Sequence, residues 1–188
     1  MPSSPRGRSG CLPLISLGRI GMKTAAIFAA LLLSAVIAAA TVRAETSDEE
    51  FRRGLSAFNT GDYVAALRLW RPLAESGEPR AQAGIGFMYH RGLGVGVDDH
   101  EAALWLRRAA EQGQAEGELM LGMLFYYGRG VPQSYVRAYA WCELAEIGGN
   151  ADATLCRDAA LESMPSDAER QEAFRLVVDL QERYGLRR

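Results

Sequence analysis

Residues 81–95 read AQAGIGFMYHRGLGV and residues 117–131 read GELMLGMLFYYGRGV. Laid on a step of 36, they bring Gly86 onto Gly122, Gly92 onto Gly128, Gly94 onto Gly130 and Val95 onto Val131. The register continues past both windows. Ala102 falls on Ala138, Ala109 falls on Ala145, and Gly77, Gly113 and Gly149 recur at the same step. Trp70, Trp105 and Trp141 follow at spacings of 35 and 36. A period of this length is the signature of stacked supersecondary units, and missing it would misassign the whole fold.

Each unit reads as two helices. Pro79 suits the first position of a helix, where its missing N–H costs nothing, and apolar residues follow it at helical spacing. Gly92 stops that helix, because glycine reaches the left-handed conformation without a Cβ penalty. Asp98 or Asp99 can cap the next helix, which carries Ala102, Ala103, Leu106, Ala109 and Ala110 and ends at Gly113. Residues 51–58 and 63–74 form an earlier pair around the turn Asn59-Thr60-Gly61-Asp62. Ser166 with Glu169 makes a capping-box pattern for a last helix to about Tyr184. No segment alternates as a strand does. The expectation is an all-α fold, an α-solenoid (α/α superhelix) of about four antiparallel helix pairs, near 47–76, 77–112, 113–148 and 149–184.

The glycines at 92, 94 and 96 also invite a phosphate-binding reading. Such a loop needs a strand before it and a helix N-terminus aimed at the anion. Here a helix precedes Gly92, no lysine follows, and Asp98, Asp99 and Glu101 would repel a phosphate. The glycines therefore read as a joint between helices, with Val95 and Val131 tucking inward. His90, Asp98, Asp99 and His100 could suggest a metal, but no repeated ligand geometry accompanies them. Neither a metal nor a cofactor is expected.

The segments IGFMYHRGLGVGVDDHEAALWLRRAAEQG and LGMLFYYGRGVPQSYVRAYAWCELAEIGG resemble the Sel-one-like repeat, a relative of the tetratricopeptide repeat. The resemblance covers two full units over 79–149, with a half unit in NADATLCRDAALESM. FNTGDYVAALRLW in the first pair looks more like a tetratricopeptide unit. Tyr135 replaces the family's aspartate, and Ile147-Gly148 its Glu-Gln. Both changes sit at a loop or a helix end. The resemblance implies that the first helix of each pair lines a concave surface.

On those helices two faces separate. Ile85, Gly86 and Tyr89 share one side, as do Leu121, Gly122 and Phe125, at the family's framework positions. Phe87, His90 and Arg91 share another at i, i+3, i+4, and so do Met123, Tyr126 and Tyr127, where the family varies. Two readings stand. The stripe captures a peptide or protein, or it packs against neighbouring helices, since a stacked helix buries more than one face.

Cys142 and Cys156 stand where Leu106 and Met120 stand one unit earlier, on helices that face each other. After export they either bond, stabilising by about 3 kcal/mol in the chain-entropy model, or remain two small buried hydrophobes. A catalytic thiol would need a partner such as one of the two histidines, and neither is near in sequence.

The N-terminal region reads as processing sequence. Met22-Lys23 is a positive start, residues 24–42 are apolar and uncharged, and Val42-Arg43-Ala44 offers small residues for a signal peptidase. Residues 22–44 are thus expected to be a signal peptide cleaved near Ala44, with an uncleaved membrane anchor as the alternative. Residues 1–21 fit poorly as its charged start and read as a disordered stretch from a misplaced upstream start; Cys11 lies there without a role. The remaining 45–188 form one repeat domain with 16 arginines against 23 acidic residues, a net charge of −7. An acidic domain without a basic stripe excludes a nucleic-acid binder.

The family resemblance implies a non-catalytic periplasmic scaffold or adaptor for a protein or peptide partner, in roles such as envelope signalling or cell-wall and polysaccharide assembly. Cysteine-rich secreted relatives are associated with β-lactam binding or hydrolysis. They carry a cysteine pair in each repeat, whereas this chain has one candidate pair and no lysine after Lys23 for a Ser-x-x-Lys motif. A membrane-tethered structural scaffold is the third expectation.

Overall fold

The computed structural model describes residues 46–186; the expected signal peptide, its cleavage site and the upstream stretch lie outside the described residues. Eight helices and no strand occur among the described residues. They are α1 (46–59), α2 (Tyr63–Glu75), α3 (Pro79–Arg91), α4 (Asp99–Ala110), α5 (Ala115–Tyr127), α6 (Tyr135–Ile147), α7 (Ala153–Glu162) and α8 (Asp167–Tyr184). None of them is long and apolar enough to cross a membrane.

The ends of these helices repeat as the sequence does. Glu78 and Gln114 cap α3 and α5, accepting hydrogen bonds from the N–H groups of Ala81 and Gly117 at 2.7 Å. Asp98 caps α4 and Ser134 caps α6, each satisfying donors that the first turn leaves unpaired. Gly92 and Gly128 close α3 and α5 at φ 69° and 68°.

The second glycine of each loop serves a different purpose. A Cβ on Gly94 would meet the backbone of Tyr63 at 2.8 Å, and one on Gly130 would run into the carbonyl of Asp99. Tyr63 and Asp99 open α2 and α4, the second helices of the preceding pairs. The loop glycines therefore stitch each pair to the one before it, besides turning the chain within a pair. Val95 and Val131 are half-buried beside them.

Helices α3, α5 and α7 pack side by side as an inner layer, and α2, α4 and α6 pack behind them. Gly86 and Gly122 let the two layers close. A Cβ at either position would strike Leu106 or Cys142 on the partner helix. Trp70 is the counterpart of Leu106 and Cys142, not of Trp105 and Trp141. It presses on Gly54 and Gly84, stacks on Phe51 and Phe58 at 5.5 and 5.7 Å, and donates from Nε1 to the Phe51 carbonyl. Trp105 instead joins the cluster built on α2 and α3, and Trp141 joins the one that spans α4, α5, α6 and α8. The spacing of 35 was thus a change of face: the three tryptophans do not share one environment.

The last pair departs from the stacking of the others. α8 packs chiefly on α6, through Ala173, Val177 and Leu180. Its last residue reaches further, because the Tyr184 hydroxyl donates to Glu111 Oε1 at 3.0 Å, just past the end of α4. The short connection through Pro165 lets α8 swing away from α7 and cover Trp141, whose ring lies 6.4 Å from that of Tyr184.

Candidate functional site

The inner faces of α1, α3, α5 and α7 carry one stripe each at helical spacing. On α5 the stripe runs Glu116, Leu119, Met123 and Tyr127; on α3, Arg80, Ala83, Phe87 and Arg91. α1 contributes Phe51, Leu55 and Phe58, and α7 contributes Leu155, Cys156 and Ala159, with Asp152 just before it. Between neighbouring stripes lie three depressions of about 380, 350 and 310 Å³. They share walls. Phe87, Glu116 and Met120 line the first two, and Leu119, Met123 and Tyr127 line the second and third. One groove therefore crosses the inner layer from α1 to α7.

All six residues expected on the stripe border this groove. Arg91, Met123 (42% exposed) and Tyr127 (62% exposed) are open to it. Phe87, His90 and Tyr126 are half-buried. Phe87 meets the Phe58 ring edge-on at 6.0 Å, and Tyr126 packs edge-on against Tyr127 at 4.9 Å with its hydroxyl 3.3 Å from Ser163 Oγ. Packing and display divide the stripe between them. Sequence reasoning missed the α1 and α7 walls and the lower turns of α3 and α5. Extending the spacing one and two turns back from Met123 reaches Leu119 and Glu116, so that signal was present.

One end of the middle depression is polar. His90 Nδ1 donates to Asp99 Oδ1 at 2.6 Å, and Arg129 Nε donates to Asp99 Oδ2 at 2.8 Å. Burial works to raise the Asp99 pKa, but the bonds and charges of His90 and Arg129 outweigh it and hold the carboxyl below its usual value. Asp98 is occupied in capping, accepting from the N–H groups of His100 and Glu101, each at 3.0 Å. His100 Nδ1 lies 3.4 Å from the Gly130 carbonyl. Of the four polar residues weighed as ligands, His90 and Asp99 are thus paired, Asp98 caps α4, and the His100 ring faces the Gly130 carbonyl. No cluster of three or more metal-ligating side chains occurs among the described residues.

Cys142 and Cys156 are joined as a disulfide, with Cα atoms 5.9 Å apart. Cys142 is buried between the layers while Cys156 forms part of the groove wall. The bonded pair ties α6 to α7 and offers no thiolate for nucleophilic chemistry.

A family model described as the Sel1 repeat matches residues 79–114 and 115–150. Among solved structures, the chain is similar to c5321, a protective antigen present in uropathogenic Escherichia coli strains and displaying an SLR fold. The identity is 30% and the TM-score 0.70 over 73% of this chain. It is also similar to a Sel1 repeat protein from Oxalobacter formigenes, at 26% identity and a TM-score of 0.58 over 71% of this chain. The chain spans 30% of the length of the first and 55% of the second. No curated protein sequence matches it. Sel1 repeats are in general scaffolds for protein–protein interaction. With two such repeats in tandem, glycine loops that join neighbouring pairs and a matching solenoid architecture, this chain belongs to the Sel1-like repeat family.

Proposed function

We propose that the protein is a non-catalytic scaffold whose inner groove holds a segment of a partner protein, and that it does so in the periplasm or outside the cell. The observation that carries this reading is the continuity of the groove. Apolar side chains from four successive inner helices line it, and Met123, Tyr127 and Leu155 (80% exposed) stand open along it. Side chains of this kind, held on rigid helices, suit an extended or helical peptide. The disulfide and the signal-like segment over 22–44 favour an oxidising compartment. Among the described residues the groove lining holds no serine, threonine or free thiol, which favours the scaffold over a serine-type β-lactam hydrolase.

A photo-crosslinking amino acid placed at Tyr127, and separately at the exposed Val178 on α8, tests the binding face in the native envelope. Partner adducts are expected at position 127 and absent at 178. Adducts confined to 178 would move the interaction to the outer surface. Introducing Met123→Asp and Tyr127→Asp together should abolish the adducts of a crosslinker at the neighbouring Leu155 while leaving the melting temperature within a few degrees, because exposed substitutions cost little. Fractionation of the cell places the protein, and N-terminal sequencing of the exported form reads the cleavage site.

A further inference from the structure

The groove is not electrostatically even. At one edge stand His90 and Arg91, which end α3, and Arg129, which follows α5. Glu116 sits near the start of α5, about 16 Å along the helix axis from Tyr127, and accepts from Asn150 Nδ2 at 3.1 Å. Asp152, in the third depression, lies just before α7. Asp99 takes up part of the charge of His90 and Arg129, while Glu116 stands most of a helix length away, so Arg91 is left as the edge's unpaired cation among the described residues.

Three observations bear on what that edge can take. Arg91 is exposed and has no ion pair, hydrogen bond or ring partner among the described residues. Arg129 spends only its Nε on Asp99, so both terminal guanidinium nitrogens are uncommitted. Asp99 holds His90 through Nδ1, which leaves Nε2 as the ring's available polar atom. Beside this edge the wall is apolar, with Phe87, Met123 and Leu124. An unpaired guanidinium at the rim of an apolar trough gains most from a carboxylate, which it can grip with two parallel bonds.

We infer that the groove selects an extended partner segment that sets an aspartate or glutamate side chain against Arg91, Arg129 and His90, with apolar or aromatic side chains on both sides of it. This rests on the groove being the docking surface. An internal acidic residue is favoured over a chain terminus because the cationic edge borders the middle depression. Apolar walls continue from it both toward α1 and toward α7, so the bound chain runs on past the charge in either direction. The flanking apolar residues face Phe51, Leu55 and Phe58 on one side and Leu155 on the other.

A display library of random peptides, panned against the immobilised, exported full-length protein, provides the test. Three baits are compared: the native protein, Arg91→Glu, and the pair Met123→Asp with Tyr127→Asp. Enriched peptides on the native protein should carry one acidic position flanked by apolar residues. The acidic preference should vanish on Arg91→Glu, and a synthetic enriched peptide should bind that variant about tenfold more weakly or worse, the loss of one charge-assisted contact. Raised salt should weaken the native complex in the same direction. If Arg91→Glu melts early, Arg91→Gln replaces it. Enrichment of apolar peptides without an acid, enrichment of basic peptides, or an acidic preference that survives removal of Arg91 would overturn the inference while leaving the groove as the docking surface. No enrichment beyond that on the Met123/Tyr127 variant would overturn the docking reading itself.

Discussion

At Gly130 one missing carbon decides whether two repeats meet. Its φ is 68°, and a Cβ there would occupy the space of the Asp99 carbonyl. Gly61 has a similar φ of 82° but nothing within 4 Å of an added Cβ. Gly61→Ala should therefore cost only the strain of the left-handed conformation, roughly 1–3 kcal/mol. Gly130→Ala should cost distinctly more, since the loop must also lift from α4. Chemical denaturation of both variants measures the difference, and equal losses would mean that the close approach carries no energy. The repeated glycines were visible in the sequence, but their purpose was only half legible. Left-handed caps are a local property, whereas the contact of Gly94 with Tyr63 joins residues far apart in the chain. Asp99 makes a second case. Its lowered pKa means that it stabilises the fold fully above the ordinary carboxylate value of 3.8 and that this contribution is lost as pH falls through the folded-state pKa below it. Asp99→Asn should cost about 1–2 kcal/mol at neutral pH. The gap between variant and native protein should close as pH drops below the usual value. A gap that stays constant down to acid unfolding would assign the loss to packing.

Among the helices, α7 depends most on a single link. It is short, only Ala153 and Ala160 are buried along it, and its first residue follows a turn without a side-chain cap. The Cys142–Cys156 bond ties it to α6. Arg157 adds pairs to Glu146 on α6 and to Asp158 beside it. Reduction of the bond in the native protein should cost about 3 kcal/mol and lower the melting temperature by roughly 10 °C. Hydrogen exchange should quicken in α7 first, while α3 and α4 keep their protection. Uniform quickening would mean that the bond stabilises the domain as a unit and not its end. The helices themselves were legible because apolar period, caps and glycine stops agree. The groove was legible only on α3 and α5, where the family pattern leaves Phe87, His90, Arg91, Met123, Tyr126 and Tyr127 free. Leu155 and Leu55 fell outside the two well-matched repeats, so no internal copy flagged them as surface. The shifted face of Trp70 escaped for a related reason. An offset of one residue turns a helix position by about 100°, and a shared residue type concealed it.

A solenoid holds together by neighbour contacts, so its stability is nearly a sum along the stack, with exposed ends as the weak terms. α8 breaks that linear logic. Lying on α6 and reaching Glu111 past α4, it couples two successive pairs and covers the outer layer where another repeat would otherwise stack. Its direction was not legible because the last pair lacks the glycine loop that sets register in the others, and a capping box at Ser166 marks where a helix starts without saying where it points. Val177, Leu180 and Leu186 are each less than a tenth exposed. At 1.5–3 kcal/mol for each buried side chain, their burial contributes about 4–9 kcal/mol. That is comparable to the 5–15 kcal/mol of a whole domain. A stop codon after Met164 should therefore leave a chain that unfolds early and broadly. Its urea midpoint should fall, its m-value should drop, and the fluorescence of Trp141 should red-shift before that of Trp70. Tyr184→Phe removes only the hydroxyl bond to Glu111 and should cost about 1 kcal/mol with the transition still sharp. If the truncated chain melted at the native midpoint with an unchanged slope, α8 would be an appendage, and the repeats would suffice to hold the groove in place.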